Sequence, residues 1–129
     1  MQLKHDCIRA LLLYLEKNLK INTHGLPEGI KVKNIDFDME LPSFSVNDIY
    51  YSIQKLVEAE YIYVRKENVS PRVMIIDEIS LKGHEFIDAS KNNTVWKKAI
   101  EFIKQKGGGI TLEVLKQLLI QYSKDMFLK

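Results

Sequence analysis

Apolar side chains recur every three or four residues along much of the chain, which is the spacing of an amphipathic helix. The stretches with this spacing are residues 6–19, 46–59, 81–90, 95–106 and 112–127. Ser45, Ser80 and Thr111 stand directly before three of these stretches and are good helix caps. The three glycines at 107–109 end the fourth stretch. The sequence therefore predicts five helices.

Shorter stretches alternate apolar and polar residues, as half-buried strands do. Residues 30–32 and 35–39 alternate in this way, and the change of phase at Asn34 predicts a bulge or tight turn between them. Residues 61–66 and 72–76 are rich in β-branched and aromatic side chains, and a turn-forming segment separates them. We expect these last two stretches to form an antiparallel hairpin.

The order of the elements predicts a mainly α fold with a small antiparallel β-sheet, in the α+β class. A helix that leads directly into a β-hairpin is typical of the winged helix-turn-helix. Residues 46–59 would then be the recognition helix and residues 61–76 the wing. A further helix normally precedes the recognition helix, and residues 38–44 leave room for one turn of it at most. We predict a winged-helix domain over residues 1–90, with residues 91–129 as a C-terminal helical extension packed on it as one structural unit.

Composition limits the classes of protein that the chain can belong to. The 129 residues are 46% hydrophobic and 28% charged, and no apolar run approaches the roughly 20 residues that cross a bilayer. The N-terminus lacks the pattern of a signal peptide, and the single cysteine, Cys7, cannot form an internal disulfide. We expect a cytoplasmic protein without a membrane segment.

Charge is unevenly distributed along the chain. Residues 26–60 carry three Lys against seven Asp and Glu, whereas residues 61–129 carry twelve Lys and Arg against eight Asp and Glu. This asymmetry points weakly to an anionic partner for the basic part of the chain. The alternative is that the charges are scattered over a solvated surface.

The His84-Glu85 pair is the candidate for a metal site, because it would resemble a zinc-protease motif if a histidine followed at position 88. Asp88 stands there instead, and no cysteine cluster supplies other ligands. We expect no metal and no cofactor. Cys7 has His5 as a neighbour, but a buried structural cysteine is favoured over a catalytic nucleophile. With no other catalytic pattern present, we predict that the protein is not an enzyme.

The stretch from Leu81 to Ile87 resembles the junction between wing and following helix in winged-helix regulators. Leu81 would pack under the hairpin, Gly83 would let the helix approach it closely, and Phe86 and Ile87 would face the core.

The resemblance continues through Thr94-Val95-Trp96-Lys97-Lys98, the glycine-rich turn and residues 110–116. The whole pattern is similar to a bacterial and phage family catalogued as domain of unknown function 2513, which is itself similar to YjcQ-like winged-helix proteins. It is strongest over residues 56–119. It implies a winged-helix fold and a phage or prophage setting, and it carries no catalytic residues.

Double-stranded DNA is the candidate partner, because winged helices commonly bind it. Residues 45–60 carry one Lys against three Asp and Glu, which disfavours contact with phosphates. Polar side chains there could still read base edges, and cations of the wing could contact phosphates. The predicted nucleic-acid-binding residues are Asn47, Tyr51, Gln54, Lys55, Arg65, Lys66 and Arg72. The alternative is a protein-interaction module that kept the winged-helix shape without affinity for DNA.

The last two predicted helices carry apolar arcs wider than packing on one neighbour requires. A symmetric homodimer through these helices would bury the excess and suit two-fold binding to DNA. The predicted interface residues are Trp96, Leu115, Leu119 and Tyr122. The alternative is that the last helix packs on Ile8, Leu12 and Leu15 of the first.

Overall fold

The chain is mainly α-helical with a small antiparallel sheet, so the predicted α+β class is confirmed. The computed structural model describes residues 2–66 and 69–127. In these residues the main elements are α1 (His5–Asn18), β1 (Ile30–Lys31), α2 (Phe37–Glu40), α3 (Val46–Glu58), β2 (Ile62–Arg65), β3 (Ile75–Ile79), α4 (Leu81–Ser90), α5 (Asn93–Gln105) and α6 (Leu112–Phe127). Short 3-10 helices lie at Val32–Asn34 and Pro71–Val73.

Contacts divide the chain into two compact units, Met1–His84 and Glu85–Lys129, here called the first unit and the second unit. The division falls inside α4, whereas the sequence places the boundary between residues 90 and 91. In the first unit α1 packs on α3 and β3, and α3 packs on β2. The buried apolar residues of this unit are Cys7, Ile8, Leu11, Leu12, Leu15, Val32, Ile35, Leu41, Ile49, Ile53, Leu56, Tyr61, Ile62, Met74, Ile76 and Ile79.

In the second unit α5 packs against α6. The rings of Phe86 and Trp96 meet edge to face, with their centroids 6.4 Å apart. Lys116 is buried, and its Nζ donates to Glu85 at 3.1 Å, because a buried ammonium needs an anionic acceptor. The buried apolar residues of this unit are Phe86, Ile87, Val95, Trp96, Ala99, Ile103, Leu115 and Leu119.

The sheet has the order β1-β3-β2, with both pairs antiparallel. Its register is interrupted between β2 and β3: Tyr63 faces Glu78, but the next residue, Val64, faces Ile76. Asp77 is therefore an extra residue in β3, which makes a bulge. A bulge re-aims the side chain that it displaces, and this places Asp77 where Arg65 can reach it.

The predicted strand over residues 35–39 is wrong. The chain instead turns through the 3-10 helix and forms the single helical turn α2, because the Asp36 side chain accepts a hydrogen bond from the Met39 backbone N–H at 3.2 Å. Such a local bond competes with strand pairing. A strand that buried one face would also have buried Met39, which is 74% exposed. The single turn agrees with the limit that the sequence sets on a helix before α3.

The second hairpin strand lies three residues further along the chain than predicted. Residues 72–76 were expected to form it, but Pro71 begins a 3-10 helix and β3 runs from Ile75 to Ile79. Proline favours the first turn of a helix, since it has no N–H to contribute to a sheet. Residues 67 and 68 of the predicted turn lie outside the described residues.

The start of α4 agrees with the sequence except at its first residue. Ser80 Oγ accepts from the Gly83 N–H at 3.0 Å, which confirms the cap. A Cβ on Gly83 would collide with the Tyr61 carbonyl oxygen and lie 2.7 Å from Ile79 Cγ2, which confirms the close approach to the hairpin. Phe86 and Ile87 are buried as predicted, but Leu81 is 77% exposed and does not pack under the hairpin.

Thr111 caps α6 as predicted, and Asn92 caps α5, which begins at Asn93, two residues before the predicted start at residue 95. Thr111 Oγ1 accepts from the Val114 N–H at 3.2 Å, and Asn92 Oδ1 accepts from the N–H groups of Thr94 and Val95. The glycines at 107–109 all have positive φ, which side chains disfavour. Within the described residues, no helix is both long and apolar enough to cross a membrane.

Candidate nucleic-acid interface

The outer face of α3 carries the four polar residues predicted on this helix. Ser45 fixes the start of the helix by accepting from the Asp48 N–H at 3.1 Å. The buried stripe of α3, which includes Ile49 and Ile53, then turns the opposite face outward. The side chains presented on that face are Asn47, Tyr51, Gln54 and Lys55.

The two side-chain amides of this face, those of Asn47 and Gln54, are accessible to a partner. Asn47 and Gln54 are exposed and lie seven residues apart, so they share one side of α3. Two helical turns span about 10 Å, which is roughly three base-pair steps at 3.4 Å each. Side-chain amides can pair with the edge of adenine in the major groove.

The cation of this face is already paired. Lys55 Nζ lies 2.9 Å from Glu58 Oε2 and 5.4 Å from the centre of the Tyr51 ring. The hydrogen bond and charge of Glu58 raise the pKa of Lys55. Lys55 therefore presents little uncompensated charge to a phosphate.

The acid at the start of α3 is paired as well. Lys4 Nζ lies 3.0 Å from Asp48 Oδ2. This hydrogen bond, with the one from Ser45, holds the pKa of Asp48 below its ordinary value. The outer face of α3 is thus polar but close to neutral.

Arg65 of the predicted wing is held by acceptors of the protein itself. Its Nε donates to Asp77 Oδ1 at 2.7 Å, and its Nη2 donates to the Pro27 carbonyl oxygen at 3.3 Å. Gly29, at φ +78°, allows this close approach, because a Cβ there would lie 3.1 Å from Arg65 Nη2 and 2.8 Å from Ile75 Cγ2. Arg65 thus ties the loop after α1 to the bulge in β3.

The two other predicted cations of the wing, Lys66 and Arg72, are exposed. Lys66 has a φ of +61°, in the left-handed region that lets the chain turn out of β2. Arg72 lies in the 3-10 helix before β3. Of the cations predicted to contact phosphate, these two are the ones that project from the hairpin without a carboxylate within 4 Å in the described chain.

Three of the four predicted interface residues lie in the core of the second unit. Trp96, Leu115 and Leu119 are buried, and Tyr122 is half-buried with Lys98 Nζ 4.8 Å from its ring centre. The exposed large apolar residues of this unit are Phe102, Val114, Met126 and Phe127. The sequence predicted where these helices lie along the chain. Which of their apolar side chains are buried and which are exposed depends on how the helices pack.

Cys7 and the candidate metal ligands are the groups that the sequence singled out for possible chemistry. Cys7 is buried and hydrogen bonds with Ser52, and burial raises the pKa of its thiol. The described residues contain no group of three or more His, Cys, Asp or Glu side chains placed to hold a metal ion.

Comparison with known proteins gives the chain a family. A family model described as a hypothetical protein, DUF2513, matches residues 2–109. The chain belongs to DUF2513. The match confirms the family predicted from Leu81–Ile87 and the residues that follow, and it ends at the glycine turn before α6.

An uncharacterized protein of Haemophilus influenzae is 28% identical to this DUF2513 chain over 113 residues, which cover 88% of the chain and 87% of the relative. No solved structure matches the chain.

The carboxylate partners of Lys55 and Arg65 were missed by the sequence interpretation. Glu58 could have been found, because it lies three residues after Lys55 on one helix, whereas Asp77 depends on the bulge.

Proposed function

We propose that the first unit is a winged helix that binds double-stranded DNA, and that the protein is a non-enzymatic transcriptional regulator of phage or prophage type. The observation that carries this proposal is the order of elements from α1 to β3. A one-turn helix and α3 are followed at once by a hairpin, and the strand before them, β1, pairs with the second strand of that hairpin. This order supports the proposed winged helix, and we place the proposed regulator in the cytoplasm.

In the proposed complex α3 lies in the major groove. Asn47 and Gln54 donate to and accept from base edges, and Tyr51 contacts a thymine methyl group or a phosphate. Lys66 and Arg72 contact phosphates beside the groove. Lys55 has to exchange Glu58 for a phosphate before it can contribute.

The proposal is tested by measuring the affinity of the full chain for duplex DNA over a series of salt concentrations. We expect measurable affinity at low salt that falls as salt rises. Replacing Lys66 and Arg72 by Gln should lower the slope of log K against log salt by about 2, since each phosphate contact contributes roughly 0.9.

A matched control removes two charges elsewhere. Lys17 and Lys20 are exposed near the C-terminal end of α1, so the Lys17→Gln/Lys20→Gln variant changes net charge equally without touching the hairpin. Absence of DNA binding by the unmodified chain at low salt would contradict the proposal. An equal effect in both variants would contradict the role of the wing.

The second candidate function is a protein-interaction module, and the surface around α2 favours it. Asp38 and Glu40 are exposed there on either side of the exposed Met39 in the sequence, and Val46 is exposed at the start of α3. Acidic side chains next to an apolar one repel phosphate and suit a basic, apolar protein surface. Failure to bind DNA would make this candidate the better one.

We also propose that the protein is a homodimer through its C-terminal helices. The exposed apolar residues among those that the structure describes in the second unit, rather than its buried ones, would form the contact. A symmetric dimer of this kind would suit two-fold binding to DNA.

A further inference from the structure

The second unit, rather than the proposed DNA-reading unit, holds the excess of positive charge. Residues 85–129 contain eight Lys against five Asp and Glu, whereas residues 1–84 contain eleven Lys and Arg against twelve Asp and Glu. Phosphate contacts supply most of the non-specific affinity of proteins for DNA. A winged helix with almost no net charge therefore lacks an obvious source for that affinity.

Four exposed lysines lie on α5 or directly after its last residue, and they are here called the lysine face: Lys97, Lys98, Lys104 and Lys106. Lys97 and Lys104 are seven residues apart and so share one side of the helix. Glu101 lies between them and offsets one of the four charges. The side of α5 that contains Trp96, Ala99 and Ile103 is buried, and this turns the lysines within the helix outward.

The lysine face differs from the cations of α3 and β2 in its pairing. Lys55 and Arg65 lie within 3 Å of carboxylate oxygens. In the part of the chain that the structure describes, no carboxylate lies within 4 Å of any of the four lysines of the face. None of the four is therefore held in an ion pair with the described residues, and their excess over Glu101 is left for a partner.

Two of these lysines lie over aromatic rings. Lys98 Nζ is 4.8 Å from the centre of the Tyr122 ring, and Lys106 Nζ is 5.7 Å from that of Phe102. Such contacts hold an ammonium at the surface without removing its charge. They lower the conformational entropy that these side chains lose when an anion binds.

From this geometry we infer that the lysine face of α5 is a binding surface for the phosphate backbone of nucleic acid. A surface on which exposed lysines outnumber acids complements a polyanion with closely spaced charges, and it makes no base-specific contacts. The inference rests on the proposed DNA binding of the first unit and adds to it the surface that supplies most of the electrostatic affinity.

The test uses the full chain with Lys97 and Lys104 both replaced by Gln, which is uncharged, only one atom shorter and a good helix former. Affinity for a duplex of random sequence is measured between low and moderate salt. We expect the slope of log K against log salt to fall by about 2, and affinity near 0.1 M salt to fall by at least about 10-fold. Circular dichroism and the melting temperature should not change, because both side chains are exposed.

The Lys17→Gln/Lys20→Gln variant is the control for net charge and should leave the slope unchanged. A slope and affinity unaltered in the α5 variant, with DNA binding retained, would overturn the inference while leaving the proposed function in place. An unmodified chain that does not bind DNA overturns both. Binding to anionic phospholipid vesicles that is lost in the α5 variant, with DNA not bound, would make a membrane surface the occupant instead.

Discussion

The Arg65 guanidinium joins three parts of the first unit. It connects β2, the bulge residue Asp77 and the Pro27 carbonyl oxygen of the loop after α1. The Arg65 side chain is about half exposed and that of Asp77 only 22% exposed, so the pair is stronger than a fully solvated one. Arg65 therefore has a structural role in the free protein, although the sequence predicted it to contact phosphate.

We expect Arg65→Gln to lower the free energy of unfolding by about 1 kcal/mol, because it removes a charged hydrogen bond and leaves acceptors with water alone. Urea denaturation measures the change. In a double-mutant cycle with Asp77→Asn, the coupling energy should be about 0.5–1 kcal/mol. A coupling of zero would mean that the pair does not contribute.

Gly83 is the second residue whose identity the structure restricts, and the reason is steric. The Tyr61 carbonyl oxygen and the Ile79 side chain occupy the space where a Cβ would lie. We expect Gly83→Ala to destabilise the protein by roughly 1–3 kcal/mol in urea denaturation, since backbone atoms must move. His84→Ala, at the exposed next position, should cost less than about 0.5 kcal/mol. Equal effects of the two substitutions would contradict the close approach.

The sequence alone indicates the structural role of Gly83 better than that of Arg65. A glycine inside a helix costs about 1 kcal/mol relative to alanine, so Gly83 within a helical pattern indicates a close neighbour. No comparable signal marks Arg65, because its partner lies twelve residues away and is brought into reach by an extra residue in β3.

At the scale of elements, short segments are where local hydrogen bonds decide the structure. The periodic helices α3 and α6 begin at the residues predicted, since many apolar positions specify each of them. Residues 35–39 hold only three apolar positions, and the cap by Asp36 outweighs their alternation. Pro71 likewise begins a 3-10 helix, so that β3 starts at Ile75 rather than at residue 72. Alternation over five residues is too weak a pattern to overcome such bonds.

The start of α3 depends on its cap. We expect Ser45→Ala to cost about 1 kcal/mol of stability, because the Asp48 N–H loses its acceptor. Ser43→Ala, at an exposed position in the preceding turn, is the control and should change stability little. Thermal unfolding followed by circular dichroism measures both variants. Identical melting temperatures for Ser45→Ala and the unmodified chain would show that the cap contributes nothing.

At the scale of the whole molecule, the net positive charge lies in the second unit, and this unit also exposes large apolar side chains. Its exposed apolar side chains include Phe127, which is 79% exposed, and Met126 one residue before it. Adjacent exposed apolar groups at the end of a helix are typical of association surfaces.

For the proposed homodimer we expect Met126→Lys/Phe127→Lys to convert a dimer into a monomer, with folding retained because both side chains are exposed. Light scattering at micromolar concentration measures the mass. A Leu119→Lys variant would instead unfold the second unit, since Leu119 is buried. A monomeric mass for the unmodified chain would contradict the proposed dimer.

Each unit also contains a reactive side chain that is shielded from water. Cys7 is buried in the first unit, and Lys116, the buried lysine of the described chain, lies between Glu85 and Glu113 in the second. A thiol reagent can reach Cys7 only when the structure around it opens transiently. An amine reagent can likewise reach Lys116 only through such an opening. Their modification rates under native conditions therefore report two separate opening free energies. Equal values would mean that the chain unfolds as one cooperative system, and unequal values that one unit opens while the other stays folded.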